Sequence, residues 1–196
     1  MKIKAIFCDL GGVLITVNPE KREEYKTKGI TKEISGKVFK YLCTGDRTKE
    51  EVDSCLKENG IERVLWDGFT EEVFYSSEKR NTDLYNILEK AKEGGVLIVY
   101  TTNHTSDLDA VMDKYQIADL PDLVMNSSEI GVVKPDDKFW EMSLSEATKR
   151  IPELMPAEVL AIDDSKTNCV SAIKNGMQAI VYTGNDSDKE ILKFLE

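Results

Sequence analysis

The sequence is poor in the residues that build zinc sites. It has four cysteines, without any C-x-x-C spacing, and a single histidine, His104. Because zinc centres usually combine several cysteines and histidines at close spacing, we do not expect one here. A chain of 196 residues can bury a sizeable core without disulfide bonds. We therefore expect reduced thiols and a cytoplasmic location.

Long apolar runs are also missing. The clearest one, VLIVY at residues 96–100, is far shorter than the roughly 20 residues of a membrane-spanning helix. The first residues, MKIKAIFCDL, lack the apolar stretch and cleavage site of a signal peptide, so we expect them to enter a strand of the fold. A membrane is therefore not an expected partner.

Positive charge is in deficit. The chain carries 26 lysines and arginines against 36 acidic residues, a formal net charge of −10. Nucleic acids and anionic membranes attract basic proteins, so neither is expected as a partner. A small phosphorylated substrate remains compatible, because a bound cation and one well-placed lysine can reverse the local field. No sequence feature specifies an oligomeric state.

Short apolar runs alternate with helical patterns along most of the chain. The runs are KAIFCD (4–9), VLIVYT (96–101), DLVMNS (122–127), VLAIDD (159–164) and AIVYTG (179–184). The helical pattern TDLYNILEKAKEGG ends in a glycine pair, which is a common helix stop. Alternating strands and helices are typical of an α/β fold with a parallel sheet, which we predict here.

The pattern changes between residues 18 and 79, where no fully apolar strand is found. Thr48, followed by two glutamates, predicts a helix start. We interpret 18–79 as a small all-α cap, and 1–17 with 80–196 as the core domain. The lysines of the cap alternate with glutamates, which favours a solvated surface over a binding patch. The helical stretches are EEYKTKG, SGKVFKYLCTG, TKEEVDSCLKENG and TEEVFYSSEKR.

Chemically useful side chains follow the predicted strands. In a parallel α/β sheet, ligands bind beyond the carboxyl ends of the strands. A carboxylate, a hydroxyl, a cation and a carboxylate pair would meet there, and hard cations such as Mg²⁺ prefer oxygen ligands. The set suits a magnesium ion beside a phosphoryl group. Its members are Asp9, Thr101, Thr102, Asn103, Lys134, Asp163 and Asp164.

Four segments, FCDLGGVL, VYTTN, GVVKPD and IDDSKTNCVSAIKNGM, occur in this order and resemble the motifs of the haloacid dehalogenase superfamily. The resemblance covers the whole chain and implies a Rossmann-like, doubly wound core with a helical cap between the first two motifs. Most members are phosphatases. The segment YLCTGDRTKEEVDSCL is loosely similar to the cap of the subgroup that includes glucose-1-phosphate phosphatases.

The resemblance implies a magnesium-dependent phosphohydrolase for a small phosphorylated metabolite. Asp9 would attack phosphorus and form an aspartyl-phosphate. Magnesium would be held by Asp9, the main-chain carbonyl of Gly11 and Asp164, with Asp163 as a further ligand or beside the ligands. Asn168 would brace the loop of Asp164. Dehalogenase chemistry is disfavoured, because it does not use the metal that the paired aspartates imply.

The phosphoryl group would be held by the remaining residues of the motifs. Thr102, favoured over Thr101, and Asn103 would contact the phosphoryl oxygens. Lys134 would neutralise charge on both nucleophile and phosphate. His104 is a candidate for contact with the substrate, or for a helix start at the edge of the site.

Gly11 departs from the superfamily pattern. Most phosphatases of the superfamily carry a second aspartate there, which protonates the leaving oxygen and later activates water. Loss of such help typically costs about 10²–10⁴ in rate. The chain would then favour good leaving groups, such as hemiacetal, aryl or acyl oxygens, or recruit His104 or a cap residue. The alternative is a catalytically impaired protein that binds phosphate.

Overall fold

The computed structural model describes residues 2–75 and 80–196. In this part of the chain, five parallel strands form one sheet in the order β3-β2-β1-β4-β5. Each predicted apolar run overlaps one strand, so the predicted α/β fold with a parallel sheet is confirmed. The strands are β1 Ala5–Cys8, β2 Leu97–Thr102, β3 Leu123–Asn126, β4 Val159–Asp163 and β5 Gln178–Val181.

Helices cover both faces of the sheet. Along β1, Ile6 and Cys8 pack into one apolar cluster, while Ala5 and Phe7 pack into another, as the two-residue period of a strand requires. The first cluster includes side chains of α5, α6 and α10, and the second those of α8 and α9. This is the doubly wound arrangement that the resemblance implies. These helices are α5 Thr82–Glu93, α6 Leu108–Lys114, α7 Ser127–Ile130, α8 Asp137–Arg150, α9 Lys166–Lys174 and α10 Asn185–Leu195, with a 3₁₀ turn at Pro156–Glu158.

The segment between β1 and α5 is helical, and its helices are called the inserted helices below. Thr48 caps the third of them in a reciprocal capping box with Glu51, which confirms the predicted helix start. The segment TEEVFYSSEKR (70–80) was predicted to be helical, and its first residues continue the fourth inserted helix as a π-helix. Residues 76–79 of this segment lie outside the described residues. The inserted helices are α1 Pro19–Thr27, α2 Lys32–Leu42, α3 Lys49–Glu58, α4 Arg63–Thr70 and the π-helix Glu71–Tyr75.

The inserted helices share an apolar cluster of their own, separate from the two that flank the sheet. Trp66 and Phe69 lie at its centre with ring centroids 5.3 Å apart, and Tyr25 meets Phe69 edge to face. Such ring pairs add to the stabilisation that burial of apolar area provides. Across the described residues, no helix is both long and apolar enough to span a membrane.

Candidate active site

The sheet brings Asp9 to the edge where its central strands end. Cys8 pairs with Tyr100 on β2 and with Ile162 on β4, so the residues that follow these three share one level. The Asp9 N–H donates to the Ile162 carbonyl at 2.9 Å, which extends the strand pairing by one residue. The sheet therefore holds the backbone of Asp9 in place. Asp9 as a whole is only 8% exposed.

Lys134 joins the strand ends. Its Nζ lies 3.1 Å from Asp9 Oδ1 and donates to Asp163 Oδ2 at 2.6 Å and to the Thr101 carbonyl at 2.7 Å. Three acceptors thus match the three N–H groups of the ammonium. Burial lowers the pKa of Lys134, but Asp163 and Asp9 outweigh burial and raise that pKa overall. The lysine is cationic at neutral pH.

Asn103 holds the main chain of Lys134. Its Oδ1 accepts from the Lys134 N–H at 2.8 Å, and its Nδ2 donates to the Lys134 carbonyl at 3.0 Å. Asn103 lines the cavity where the sequence places the phosphate, and its side-chain amide contacts Lys134. A single sequence carries no signal for this pair, because its members are 31 residues apart.

Asn103→Ala should lower the free energy of unfolding by about 1–3 kcal/mol, since the Lys134 N–H and carbonyl would lose their partner. Urea unfolding measures the change. Asn59→Ala, which removes a local amide contact to the Cys55 carbonyl among the inserted helices, is the control and should cost less. Equal unfolding midpoints for Asn103→Ala and the unmodified protein would contradict this role.

Asp163 is fully engaged with its neighbours. Its Oδ1 accepts from the Ser165 N–H and from Asn168 Nδ2, both at 2.9 Å. Its Oδ2 accepts from Lys134 Nζ at 2.6 Å and from Asn168 Nδ2 at 3.0 Å. The residue is 1% exposed. The sequence left Asp163 either as a further metal ligand or as a residue beside the ligands. This geometry favours the second role, in which the carboxylate positions Lys134. Asn168, expected to brace the loop of Asp164, places its amide on Asp163.

Three carboxylates form an acidic cluster. Asp9, Asp163 and Asp164 each offer an oxygen within 4.8 Å of the others. Burial raises the pKa of Asp9, the charges of Asp163 and Asp164 raise it further, and Lys134 opposes them. Burial and Asp163 also raise the pKa of Asp164. The cluster is short of positive charge, and its hard oxygen donors suit a divalent cation.

The glycine pair after Leu10 shapes the turn beside this cluster. Gly12 has a φ of +83°, and a Cβ on it would lie 2.7 Å from Asp164 Oδ2, so only glycine lets that carboxylate approach. The turn is closed by the Ile15 N–H to the Leu10 carbonyl and by the Gly12 N–H to the Ile15 carbonyl. Neither bond uses the Gly11 carbonyl. A Cβ on Gly11 would meet no described atom within 4 Å.

A cavity of about 310 Å³ lies over the strand ends. Thr102 lines it, whereas Thr101 gives its carbonyl to Lys134. His104 also lines the cavity, with its Nδ1 3.1 Å from the Thr105 carbonyl and 3.5 Å from Asp107 Oδ1. The inserted helices contribute further polar and aromatic lining, which the sequence did not indicate: Arg22, Lys32, Ser35, Phe39, Thr70 and Phe74.

Known proteins share this fold and part of the sequence. The model of the family described as haloacid dehalogenase-like hydrolase matches residues 66–182. The structure of a predicted haloacid dehalogenase (HAD)-like family hydrolase from Porphyromonas gingivalis aligns over 100% of this chain and 99% of its own, with a TM-score of 0.75 and 19% identity. A HAD family enzyme from Bacteroides thetaiotaomicron, in complex with magnesium and inorganic phosphate, aligns over 94% and 96%, with a TM-score of 0.69 and 22% identity.

One curated relative matches a shorter region. It is the ribulose-1,5-bisphosphate 5-phosphatase of Halopiger xanaduensis, 27% identical over 120 residues. The match covers 61% of this chain and 46% of the relative, so the chain spans less than half of that protein's length. At these identities, the two solved structures establish a shared fold.

Proposed function

This chain belongs to the haloacid dehalogenase-like hydrolase family, and we propose that it is a magnesium-dependent phosphohydrolase of small phosphorylated metabolites. The observation that carries the proposal is the convergence of Asp9, Lys134 and Asp164 on one cavity. The Bacteroides relative with bound magnesium and phosphate supports it, as does the name of the Halopiger relative.

The donor set fits magnesium. Asp9, the Gly11 carbonyl and Asp164 would hold the ion, while Asp163 keeps its hydrogen bonds and serves the site from beside it. The glycine at position 12 leaves room for the Asp164 carboxylate that a larger residue would displace. Magnesium, when bound, supplies positive charge for the phosphoryl oxygens and for the acidic cluster.

The chain's own residues would carry the transfer. An Asp9 oxygen would bond to phosphorus as the ester P–O bond breaks, and the leaving oxygen would depart and take its proton from water. A second water would then hydrolyse the aspartyl-phosphate, releasing inorganic phosphate and restoring the carboxylate. The Thr102 hydroxyl donates to a phosphoryl oxygen, and the Lys134 ammonium stabilises the developing charge. Asp163 and Asn103 hold Lys134 in place through its ammonium and its main chain.

Gly11 sets the expected leaving-group preference. Without an acid at this position, esters with good leaving groups should react fastest. Phosphate release from aryl, acyl, sugar-1- and alkyl phosphates, with Mg²⁺ and with chelator, tests both the activity and this preference. The proposal predicts metal-dependent release, slowest for the alkyl esters. Alkyl esters reacting fastest would contradict the preference.

A binding protein is the second candidate, because the space beside Gly11 is open where an acid would stand. Tight, magnesium-dependent binding of phosphate without release from any ester would favour it. The intact Asp9 and Lys134 favour the enzyme.

We also propose that residues 18–79 act as a cap on a core of 1–17 and 80–196. The inserted helices have their own apolar cluster and line the cavity opposite the strand ends. In this position they would exclude water from the site and select the substrate.

Magnesium should stabilise the fold by binding. At about 100 times its Kd, a ligand of the native state adds about 2.7 kcal/mol to the free energy of unfolding. We expect Asp164→Asn to remove most of this gain in thermal or urea unfolding. Asp119→Asn, an exposed aspartate near the opposite edge of the sheet, should keep the full gain. Equal gains in both variants would exclude Asp164 as a ligand.

A further inference from the structure

Two exposed cations on the inserted helices border the cavity. Arg22 on α1 and Lys32 on α2 both line it. Within residues 2–75 and 80–196, neither forms an ion pair. Four lysines on these helices or directly after α1 do, with distances of 2.6–2.9 Å: Lys21 with Glu24 and Glu72, Lys26 with Glu23, Lys28 with Glu24, and Lys37 with Glu33. Lys32 is exposed, as the predicted solvated surface requires, but it also lines the cavity, which the paired lysines do not.

An aromatic ring positions one of these cations. The Arg22 guanidinium carbon lies 5.6 Å from the centroid of Phe74, which also lines the cavity. A cation held over a ring is oriented without losing its charge. Ser35, about one turn beyond Lys32 on α2, adds a hydroxyl to the same wall. The wall thus offers two positive charges and a hydroxyl.

The strand-end side of the cavity can be balanced without these charges. Its three carboxylates carry three negative charges, which Lys134 and one divalent cation would offset. Arg22 and Lys32 come from the opposite, helical side. They are therefore available to a bound substrate. Phe39, Val111 and Tyr115 supply apolar lining for a carbon skeleton.

We infer that Arg22 and Lys32 form a subsite for a second anionic group, a carboxylate or a phosphate, on the leaving-group part of the substrate. The inference rests on the proposed phosphohydrolase function and narrows its substrate class to small phosphate monoesters that carry a second anion. The cavity, at about 310 Å³, is near the lower end of ligand pockets, roughly 300–1,000 Å³, which fits a small metabolite.

Three aryl phosphates that differ only in the para substituent test this subsite. They are para-carboxyphenyl phosphate, para-phosphonophenyl phosphate and the neutral para-carbamoylphenyl phosphate. We expect Arg22→Met and Lys32→Met to lower kcat/KM about 10–100-fold for the two anionic esters, the loss of a charge-assisted contact. The carbamoyl ester should lose less than about threefold. Comparing the carboxyl and phosphono esters shows which anion the subsite prefers.

Lys37→Met is the matched control, since it removes a lysine of the same helix that is paired with Glu33. It should leave kcat/KM unchanged for all three esters. Equal losses on anionic and neutral esters in Arg22→Met and Lys32→Met would overturn the inference, because the cations would then act on the transferred phosphoryl group. The absence of any loss would also overturn it.

Failure of the proposed function gives a different result. If the unmodified protein hydrolyses none of the esters, calorimetry with Mg²⁺ measures their binding instead. Tighter binding of the para-carboxyphenyl ester than of the carbamoyl ester, lost in Arg22→Met and Lys32→Met, would support the subsite in a binding protein. Equal binding of the two esters would overturn the subsite as well.

Discussion

Asp9→Asn should abolish phosphate release, with kcat lower by at least about 10⁴-fold, as for the removal of other catalytic nucleophiles. The asparagine amide has the shape of the carboxylate but is a poor nucleophile. Its neighbours should stay in place, because Lys134 keeps its bonds to Asp163 and to the Thr101 carbonyl. Steady-state phosphate release from an aryl phosphate with Mg²⁺ measures the effect.

The variant should fold. Burial and the neighbouring carboxylates raise the pKa of Asp9, which shows that its charge is held at a cost that a neutral amide avoids. A melting temperature no lower than that of the unmodified protein would separate lost chemistry from lost structure. Asp119→Asn is the control and should keep full activity. Residual turnover within about tenfold of the unmodified enzyme would rule out Asp9 as the nucleophile.

Gly11→Asp should raise kcat for alkyl phosphates by about 10²-fold or more, the usual contribution of a general acid–base group. Gly11 lines the cavity beside Asp9, and a Cβ there meets no described atom within 4 Å. Its φ is not among the positive values of the chain, so a side chain is tolerated. Aryl phosphates should gain less in kcat/KM, which reports the transfer to Asp9, because their leaving oxygen needs little protonation.

Gly11→Asn separates acid–base chemistry from the filling of space. The asparagine has nearly the same size and cannot transfer the proton, so it should give no gain. Gly12→Ala should instead disturb the site, because its Cβ would collide with the Asp164 carboxylate. An equal response to Gly11→Asp and Gly11→Asn would show that the missing carboxylate is not what limits turnover.

The sheet could be predicted because its strands appear as short apolar runs, and β1 and β4 are buried on both faces. The strand order then places Asp9 beside Asp163, since β1 pairs with β4. The convergence of the predicted site residues on one edge follows from this order and from the rule that ligands bind at the carboxyl ends of strands. The positions of Asp9, Lys134 and Asp164 in their motifs were therefore enough to predict that these residues share one site.

The functions of individual polar atoms could not be predicted in the same way. The Asn103 side chain binds the main chain of Lys134. The Asp163 carboxylate binds Lys134 and Asn168. The two contacts to Lys134 form only when distant segments of the chain meet. Arg22 and Lys32 occur in helices rich in lysine and glutamate, where the sequence does not distinguish a paired cation from one that faces a cavity. Their position depends on how the inserted helices pack over the sheet.

The central claim is that Asp9 accepts the phosphoryl group. Acid quench of the enzyme during turnover of an aryl phosphate with Mg²⁺, followed by mass spectrometry of the tryptic peptide that carries Asp9, measures this directly. Because Gly11 cannot activate water, we predict that the phosphorylated peptide accumulates in the unmodified protein and is absent from Asp9→Asn. Phosphate release without any phosphorylated peptide, and undiminished in Asp9→Asn, would contradict the account.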